Sequence, residues 1–240
     1  MVPVIACGDL HGHWEYFNKL ISSKRPSIVL QCGDFGWWPK LHNTKLITTV
    51  DPFELQMVSR TKRKAKWDLY GIKNGDTKIY FCDGNHEDHF SLRTLGKNNE
   101  VMPGVFYMKR GSTLTLPDGR VVLFMGGADS IDKSERKPYF DWFPEELITA
   151  EDMRNLPDCR IDIVISHTCP SVCTSYLNSK KFIYKDQSRD FLTRVLEKYS
   201  PELWYFGHFH RYSEFKFGGT YFYGLDRNDN GRIWWKRIPK

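Results

Sequence analysis

The sequence predicts an α/β fold on three observations: six short apolar runs, helix-period patterns between them, and small polar clusters where the runs stop. The runs are Val4 to Cys7, Ile28 to Cys32, Ile79 to Cys82, Val121 to Met125, Ile161 to Ile165 and Leu203 to Phe206. Unbroken Val, Ile, Leu, Phe and Tyr without alternation is the pattern of a strand buried on both faces. All but the Val121 run stop at Gly, Asp, Asn, Ser or His. Ligand-binding loops of an α/β sheet form at the carboxyl ends of its strands, so the chemistry is expected there.

The first helix is expected after the first run, where Trp14, Phe17, Leu20 and Ile21 recur at the three- and four-residue spacing of one helix face. A second begins at Asp51-Pro52-Phe53-Glu54 and runs toward Tyr70. Asp51 can cap it, Pro52 suits the first helical position, and Glu54 can reach back to complete a capping box. Thr149-Ala150-Glu151-Asp152 opens a short third helix. Phe191, Leu192, Val195, Leu196 and Tyr199 mark the apolar face of a fourth, which Pro201 ends. The C-terminal segment reads differently. Glu214 to Phe217, Thr220 to Leu225 and Ile233 to Ile238, separated by Gly218-Gly219 and by Asp226 to Gly231, predict an antiparallel β-meander near 212–238 that closes a second sheet. With no linker, repeat or low-complexity tract, residues 1–240 read as one domain carrying a helical insertion near 37–75.

Composition narrows the function classes. Of the 240 residues, 40% are hydrophobic and 15% aromatic, which excludes a disordered chain. No run approaches the roughly 18 apolar residues of a membrane span, so no membrane partner is expected. Thirty-five Lys and Arg against 29 Asp and Glu leave a charge of +6, which admits an anionic substrate but falls short of a protein that coats nucleic acid. The N-terminus enters a strand-like run without a basic leader, so a cytoplasmic setting is expected. Cys7, Cys32, Cys82, Cys159, Cys169 and Cys173 are then expected to be thiols.

The run ends hold Gly8-Asp9-Leu10-His11-Gly12, Gly33-Asp34, Gly84-Asn85-His86-Glu87, Ser166-His167 and Gly207-His208-Phe209-His210. Five of the eight histidines fall in these segments, a concentration that scattered surface histidines do not produce. Imidazoles with carboxylate and amide oxygens make a mixed donor set suited to Mn, Fe, Zn or Ni, whereas Ca or Mg sites are expected to use oxygen alone. Seven candidate ligands exceed the needs of one tetrahedral ion, and two ions about 3.5–4 Å apart that share a carboxylate use them all. Such a pair neutralises an anionic group that would otherwise repel a nucleophile, and it supplies hydroxide at neutral pH. The glycines before Asp9, Asp34, Asn85 and His208 are expected to turn the chain where a side chain would crowd the ions.

In this order, from Val4 to His210, the motifs resemble those of the calcineurin-like metallophosphoesterase superfamily. The resemblance implies two stacked mixed β-sheets flanked by helices, an αββα sandwich. It also implies that Asp9, His11 and His210 hold one ion, that Asn85, His167 and His208 hold the other, and that Asp34 bridges them. It leaves His86 uncoordinated as the catalytic residue, contacting the substrate phosphate and helping to protonate the leaving oxygen, with Glu87 orienting its ring. The implied cofactors are two divalent or trivalent ions, Mn before Fe, Zn or Ni. The implied reaction is hydrolysis of a phosphate ester by in-line attack of a metal-bridging hydroxide.

Departures from the family pattern shape the substrate expectation. Protein Ser/Thr phosphatases of this group extend the second motif to GDxVDRG, whereas Gly33-Asp34 here continues as Phe35-Gly36-Trp37-Trp38 without that Arg. The order CGDF, an insertion, GNHE and SHTCP is similar to the RNA lariat debranching and related phosphodiesterase branch. The expected activity is that of a phosphodiesterase or broad phosphoesterase on nucleotides or nucleic acid. A phosphoprotein phosphatase and a metal-bound scaffold with little turnover are the alternatives.

Several residues keep two readings. Lys133 and Arg136 either grip a substrate phosphate or pair with Asp129, Asp132 or Glu135. Arg60, Lys62, Arg63, Lys64 and Lys66 read as a solvated helix face, or as a rim for a polyanion with Trp37, Trp38 and Trp67 as stacking surfaces. Cys7, Cys32 and Cys82 read as small apolar core residues or as a redox-sensitive layer. Cys169 and Cys173 could reach one another or a soft metal. His13, His42 and His89 match no motif and read as solvated or packed.

Overall fold

The computed structural model describes residues 3–37, 71–95, 99–139, 142–177, 185–230 and 233–239. The helix expected from Asp51 toward Tyr70, the basic run at 60–66, Trp38, Trp67 and His42 lie outside the described residues.

The first three apolar runs form β1 (Val4–Cys7), β2 (Ile28–Gln31) and β3 (Lys78–Phe81). Three strands without a sequence signal follow: β4 (Glu100–Met102), β5 (Val105–Tyr107) and β6 (Thr113–Thr115). At three residues each, and with a register break between Glu100 and Met102, they are too short to show a period. The last three runs form β7 (Val121–Met125), β8 (Ile163–Ser166) and β9 (Leu203–Phe206), and β10 (Ser213–Phe217), β11 (Thr220–Gly224) and β12 (Trp235–Arg237) complete the set.

These strands make two six-stranded mixed sheets, ordered β12-β1-β2-β3-β5-β4 and β10-β11-β9-β8-β7-β6. In the first, β1, β2, β3 and β5 run parallel between antiparallel edges; in the second, β11, β9, β8 and β7 do the same. A parallel sheet needs cover on both faces, and three apolar layers supply it. Ala6, Leu30, Cys32 and Cys82 meet Val122, Phe124, Ile163, Ile165 and Tyr205 between the sheets. Val29, Ile79, Phe81 and Val105 turn outward onto Trp14, Phe17 and Ile21 of helix α1 (Trp14–Lys24) and onto Leu92 of α2 (His89–Thr94). Leu123, Val164, Trp204 and Phe206 turn outward onto Leu192, Val195 and Leu196 of α4 (Gln187–Tyr199). The fold is thus two stacked mixed sheets with helices on both outer faces.

The helix ends follow local chemistry. In α3 (Ala150–Arg154), Thr149 and Asp152 close the reciprocal capping box that satisfies two backbone N–H groups. Asp186 accepts from Ser188 N to start α4, which ends at Ser200 with φ 44°, and Pro201 follows. No helix among the described residues is long and apolar enough to cross a membrane.

The C-terminal meander requires correction. β10 and β11 do form a hairpin through Gly218-Gly219, but β11 then lies parallel to β9 rather than beside a third strand of its own. The last run leaves the second sheet and pairs antiparallel with β1, Ile5 opposite Arg237. The physical reason is occupancy: β9 fills the second side of β11, so β12 takes the open edge at β1.

Candidate metal centre

Because the central strands of each sheet are parallel, their carboxyl ends collect on one edge of the sandwich. β1, β2 and β3 deliver Asp9, His11, Asp34 and Asn85, while β8 and β9 deliver His167, His208 and His210. Among the described residues seven non-glycine residues have positive φ, and four of them are here: His11 (45°), Asp34 (52°), His208 (68°) and His210 (46°). Asp and His tolerate this left-handed region better than most residues, at a cost of order 1–3 kcal/mol each. The strain aims their side chains inward.

Glycines make room for the acids. A Cβ at Gly207 would collide with Asp9 Oδ1, and one at Gly84 with Asp34 Oδ1. Neither glycine has positive φ, so space beside the carboxylates, not a sharp turn, is what excludes a side chain at these two positions.

The seven expected ligands converge in two groups. In one, His210 Nε2 lies 2.9 Å from Asp9 Oδ2 and 3.1 Å from His11 Nε2. Ligand atoms of Asp9, His11, Asp34 and His210 all fall within 4.8 Å of one another, a possible metal site. In the other, Asn85 Oδ1 lies 2.9 Å from His167 Nε2 and 3.1 Å from His208 Nδ1. Asp34 stands between them, with Oδ2 3.5 Å from His11 Nε2 and Oδ1 3.5 Å from His167 Nε2. Backbone N–H groups steady both acids: His208 N donates to Asp9 (3.0 Å) and His86 N donates to Asp34 (2.8 Å).

The electrostatics suit a cation. Burial opposes ionisation of Asp34, but His167, His86 and His11 around it hold its carboxyl well below the usual range. Asp9 is also held low, its burial outweighed by the hydrogen bond from His210 together with the charges of His167 and His210. Burial pushes His11 down to about 4, and burial with His167 pushes His208 down to about 3, so both present neutral lone pairs at pH 7. His167 goes the other way: against burial, Asp34 raises it to about 10. Its Nδ1–H donates to the Cys32 carbonyl (2.8 Å), which turns Nε2 toward Asp34 and Asn85. The proton on Nε2 is the one a bound cation would displace. Two carboxylates, four imidazoles and one amide oxygen, in two groups sharing Asp34, fit a mixed N/O metal site on chemical grounds.

His86 makes the rim. Its ring meets His11 edge-on at 5.3 Å, and the Arg136 guanidinium lies 3.2 Å from each of its nitrogens while also pairing with Asp132 at 2.8 Å. Burial lowers the His86 pKa, Asp34 opposes, and Arg136 adds to the lowering. Glu87 binds two backbone groups. It is fully buried, and its two oxygens accept from Gly36 N (3.0 Å) and Gly84 N (2.8 Å), tying the second and third motif loops together. Lys133 Nζ lies 2.8 and 2.9 Å from the Asp129 oxygens, the ion pair that its second reading names.

The remaining two-way readings fall on the packed side. Burial raises the thiols of Cys7, Cys32 and Cys82 well above their ordinary value, which suppresses the reactive thiolate. Cys169 and Cys173 are free and sit in the apolar layer under α4. His13 pairs with Asp229 at 3.1 Å, and His89 is buried beside Asp83. Sequence reasoning did not single out Ser130 and Glu146, which have no motif of their own: Asn85 Nδ2 donates to Ser130 Oγ, and Ser130 Oγ to Glu146 Oε2.

A model of the calcineurin-like phosphoesterases matches residues 2–212, and the chain belongs to that family. It is a phosphoesterase, a hydrolase of phosphate esters. No curated protein matches the sequence. Solved structures share the fold at low identity. TT1561 of Thermus thermophilus aligns with a TM-score of 0.51 and 14% identity, over 96% of this chain and 92% of its own. GAP50, the anchor in the inner membrane complex of Plasmodium, aligns at 0.50 and 11%, over 95% and 72%. A further crystal structure reaches 0.59 at 14% identity, over 98% and 95%.

Proposed function

We propose that this phosphoesterase works with two metal ions, Mn first among the candidates, and cleaves phosphodiesters or a broad set of phosphate esters of nucleotides or nucleic acid. The observation that carries the two-ion reading is the Asp34 carboxylate, whose two oxygens each lie 3.5 Å from a different imidazole, His11 on one side and His167 on the other. Asp9, His11 and His210 would hold one ion, and Asn85, His167 and His208 the second. Ions bound there supply charge neutralisation at the phosphate and lower the pKa of water toward neutrality.

The chain's own residues do the rest. Asp9 and Asp34 keep their charge at neutral pH, and the strained backbone at His11, His208 and His210 holds the imidazoles in place. His86 contacts a phosphate oxygen and hands a proton to the leaving oxygen. An incoming phosphate, being anionic, raises the basicity of that ring just where the proton is needed. Arg136, already on the His86 ring, is placed to share the phosphate charge.

The substrate reading rests on the loop after Asp34. Phe35 and Trp37 are buried in the outer apolar layer, so this stretch offers packing in place of the cation that phosphoprotein phosphatases carry there. A scaffold role has no need of His86. The six unpaired thiols support a reducing, cytoplasmic setting. A panel of para-nitrophenyl phosphate, its bis ester, cyclic nucleotides, oligonucleotides and a phosphopeptide, assayed with added Mn, tests the reading. Turnover of the bis ester and oligonucleotides is expected; activity on monoesters alone, or a preference for the phosphopeptide, overturns it.

A further inference from the structure

Asn85 poses a problem that the carboxylate ligands do not. Its amide is symmetric in shape but not in chemistry: only the oxygen can meet a cation, and a half-turn would present an NH2 instead. We infer that Ser130 and Glu146 form a positioning relay that fixes the direction of the Asn85 amide, an inference that rests on the two-ion reading above.

The relay is fully laid out in buried side chains. Asn85 Nδ2 donates to Ser130 Oγ at 3.0 Å, and the Ser130 hydroxyl donates to Glu146 Oε2 at 2.8 Å. Ser130 N and Trp142 Nε1 both donate to the other carboxylate oxygen, at 2.6 and 3.0 Å. Asn85 is 5% exposed, Ser130 1% and Glu146 0%, so water does not compete for these bonds. Direction follows from the far end. Burial raises the Glu146 carboxyl to about 7 against the bonds from Ser130 and Trp142; ionised it only accepts, so the single hydroxyl proton of Ser130 then points at Glu146 and leaves lone pairs toward Asn85. Only the NH2 of Asn85 can meet those lone pairs. Its oxygen is thereby turned to His167 Nε2 and His208 Nδ1.

The Glu146 end is itself anchored to the Asn85 loop. Arg110 donates to the carbonyls of Glu145, Glu146 and Leu147 and to the Asp83 carboxylate, two residues before Asn85. The relay therefore spans the loops after β3 and β7 as a closed circuit, and its polarity is set by one acid.

Glu146→Gln tests this because it keeps the shape and reverses one bond. Its Oε1 can still accept from Ser130 N and Trp142 Nε1, but its NH2 now donates to Ser130 Oγ, which drives the hydroxyl proton toward the Asn85 NH2. Titration calorimetry and electron paramagnetic resonance with Mn are expected to show one of the two ions bound about 10–100-fold more weakly, the range for lost outer partners of a ligand. The other ion is expected to be unchanged. Ser130→Ala, which deletes one oxygen, should do the same, and Ser130→Thr, which restores the hydroxyl, should bring the affinity back. Two ions at wild-type affinity in both Glu146→Gln and Ser130→Ala overturn the relay while leaving the two-ion reading intact. A wild-type protein that binds a single ion overturns both.

Discussion

Replacing Asp34 by Asn perturbs the bridge and the electrostatics of the site at once. Asp34 Oδ1 lies 3.5 Å from His167 Nε2, both groups fully buried. At that separation and an effective dielectric near 20, two unit charges attract by about 5 kcal/mol, equivalent to roughly 3.5 pH units of imidazole basicity. The His167 pKa is raised from 6.5 to about 10 against the opposing pull of burial, the same scale. Neutralising Asp34 is therefore expected to bring His167 to about 7 or below, with Asp9 supplying what remains of the attraction. The amide also keeps one oxygen and turns the other into an NH2, which cannot take a cation, so one donor group loses its shared ligand. An NMR titration of the His167 ring in the metal-free variant reads the first effect, and metal analysis after gel filtration reads the second. A ring that still titrates above about 9, where the wild-type balance of charges would hold it, refutes the electrostatic argument. Two fully retained ions refute the bridge.

His86→Ala is expected to keep its metal content and to slow turnover by about 10²–10⁴-fold on an ester with a poor leaving group, the range for a lost general acid; an unchanged rate removes His86 from the chemistry. Arg136→Ala should lower kcat/KM by about 10–100-fold, the loss of a hydrogen bond to a charged group. Lys133→Ala should hardly change it, because the ammonium is held at Asp129. Equal losses in steady-state kinetics would place both cations on the substrate. Gly207→Ala pushes a methyl against Asp9 Oδ1. It should cost about 1–3 kcal/mol of stability in denaturant unfolding and weaken the ion assigned to Asp9, His11 and His210, whereas wild-type Mn affinity would show the glycine to be incidental.

The parts of the fold visible in the sequence are those set by local pattern. Val4 to Cys7 and Leu203 to Phe206 are apolar throughout because both their faces are covered, so an unbroken run marks them. Trp14, Phe17, Leu20 and Ile21 all bury one face of α1, which the spacing alone predicts. The candidate ligands were legible for a related reason: a strand end that must supply a carboxylate, an imidazole or an amide carries a residue with few other uses in a buried loop. His208 and His210 are two apart and face different donor groups, one toward Asn85 and one toward Asp9, a division that the left-handed backbone at both residues makes possible.

What stayed hidden depends on neighbours distant in the chain. Nothing within Trp235–Arg237 says that β1 has an open edge, so the strand reads as the continuation of its hairpin. Glu87 sits beside His86 in sequence, and its carboxylate accepts from two backbone N–H groups, one of them from Gly36 in another loop, a link that the motif string does not reveal. Ser130 and Glu146 carry no motif because their task needs only a hydroxyl and an acceptor at the right distance from Asn85. Any loop could supply these, and only the packing of the β3 and β7 ends brings them there. The ligands are constrained by the cation they would share and so recur in recognisable strings. The groups that orient them are constrained by geometry alone, so they come into view only once the two sheets are stacked.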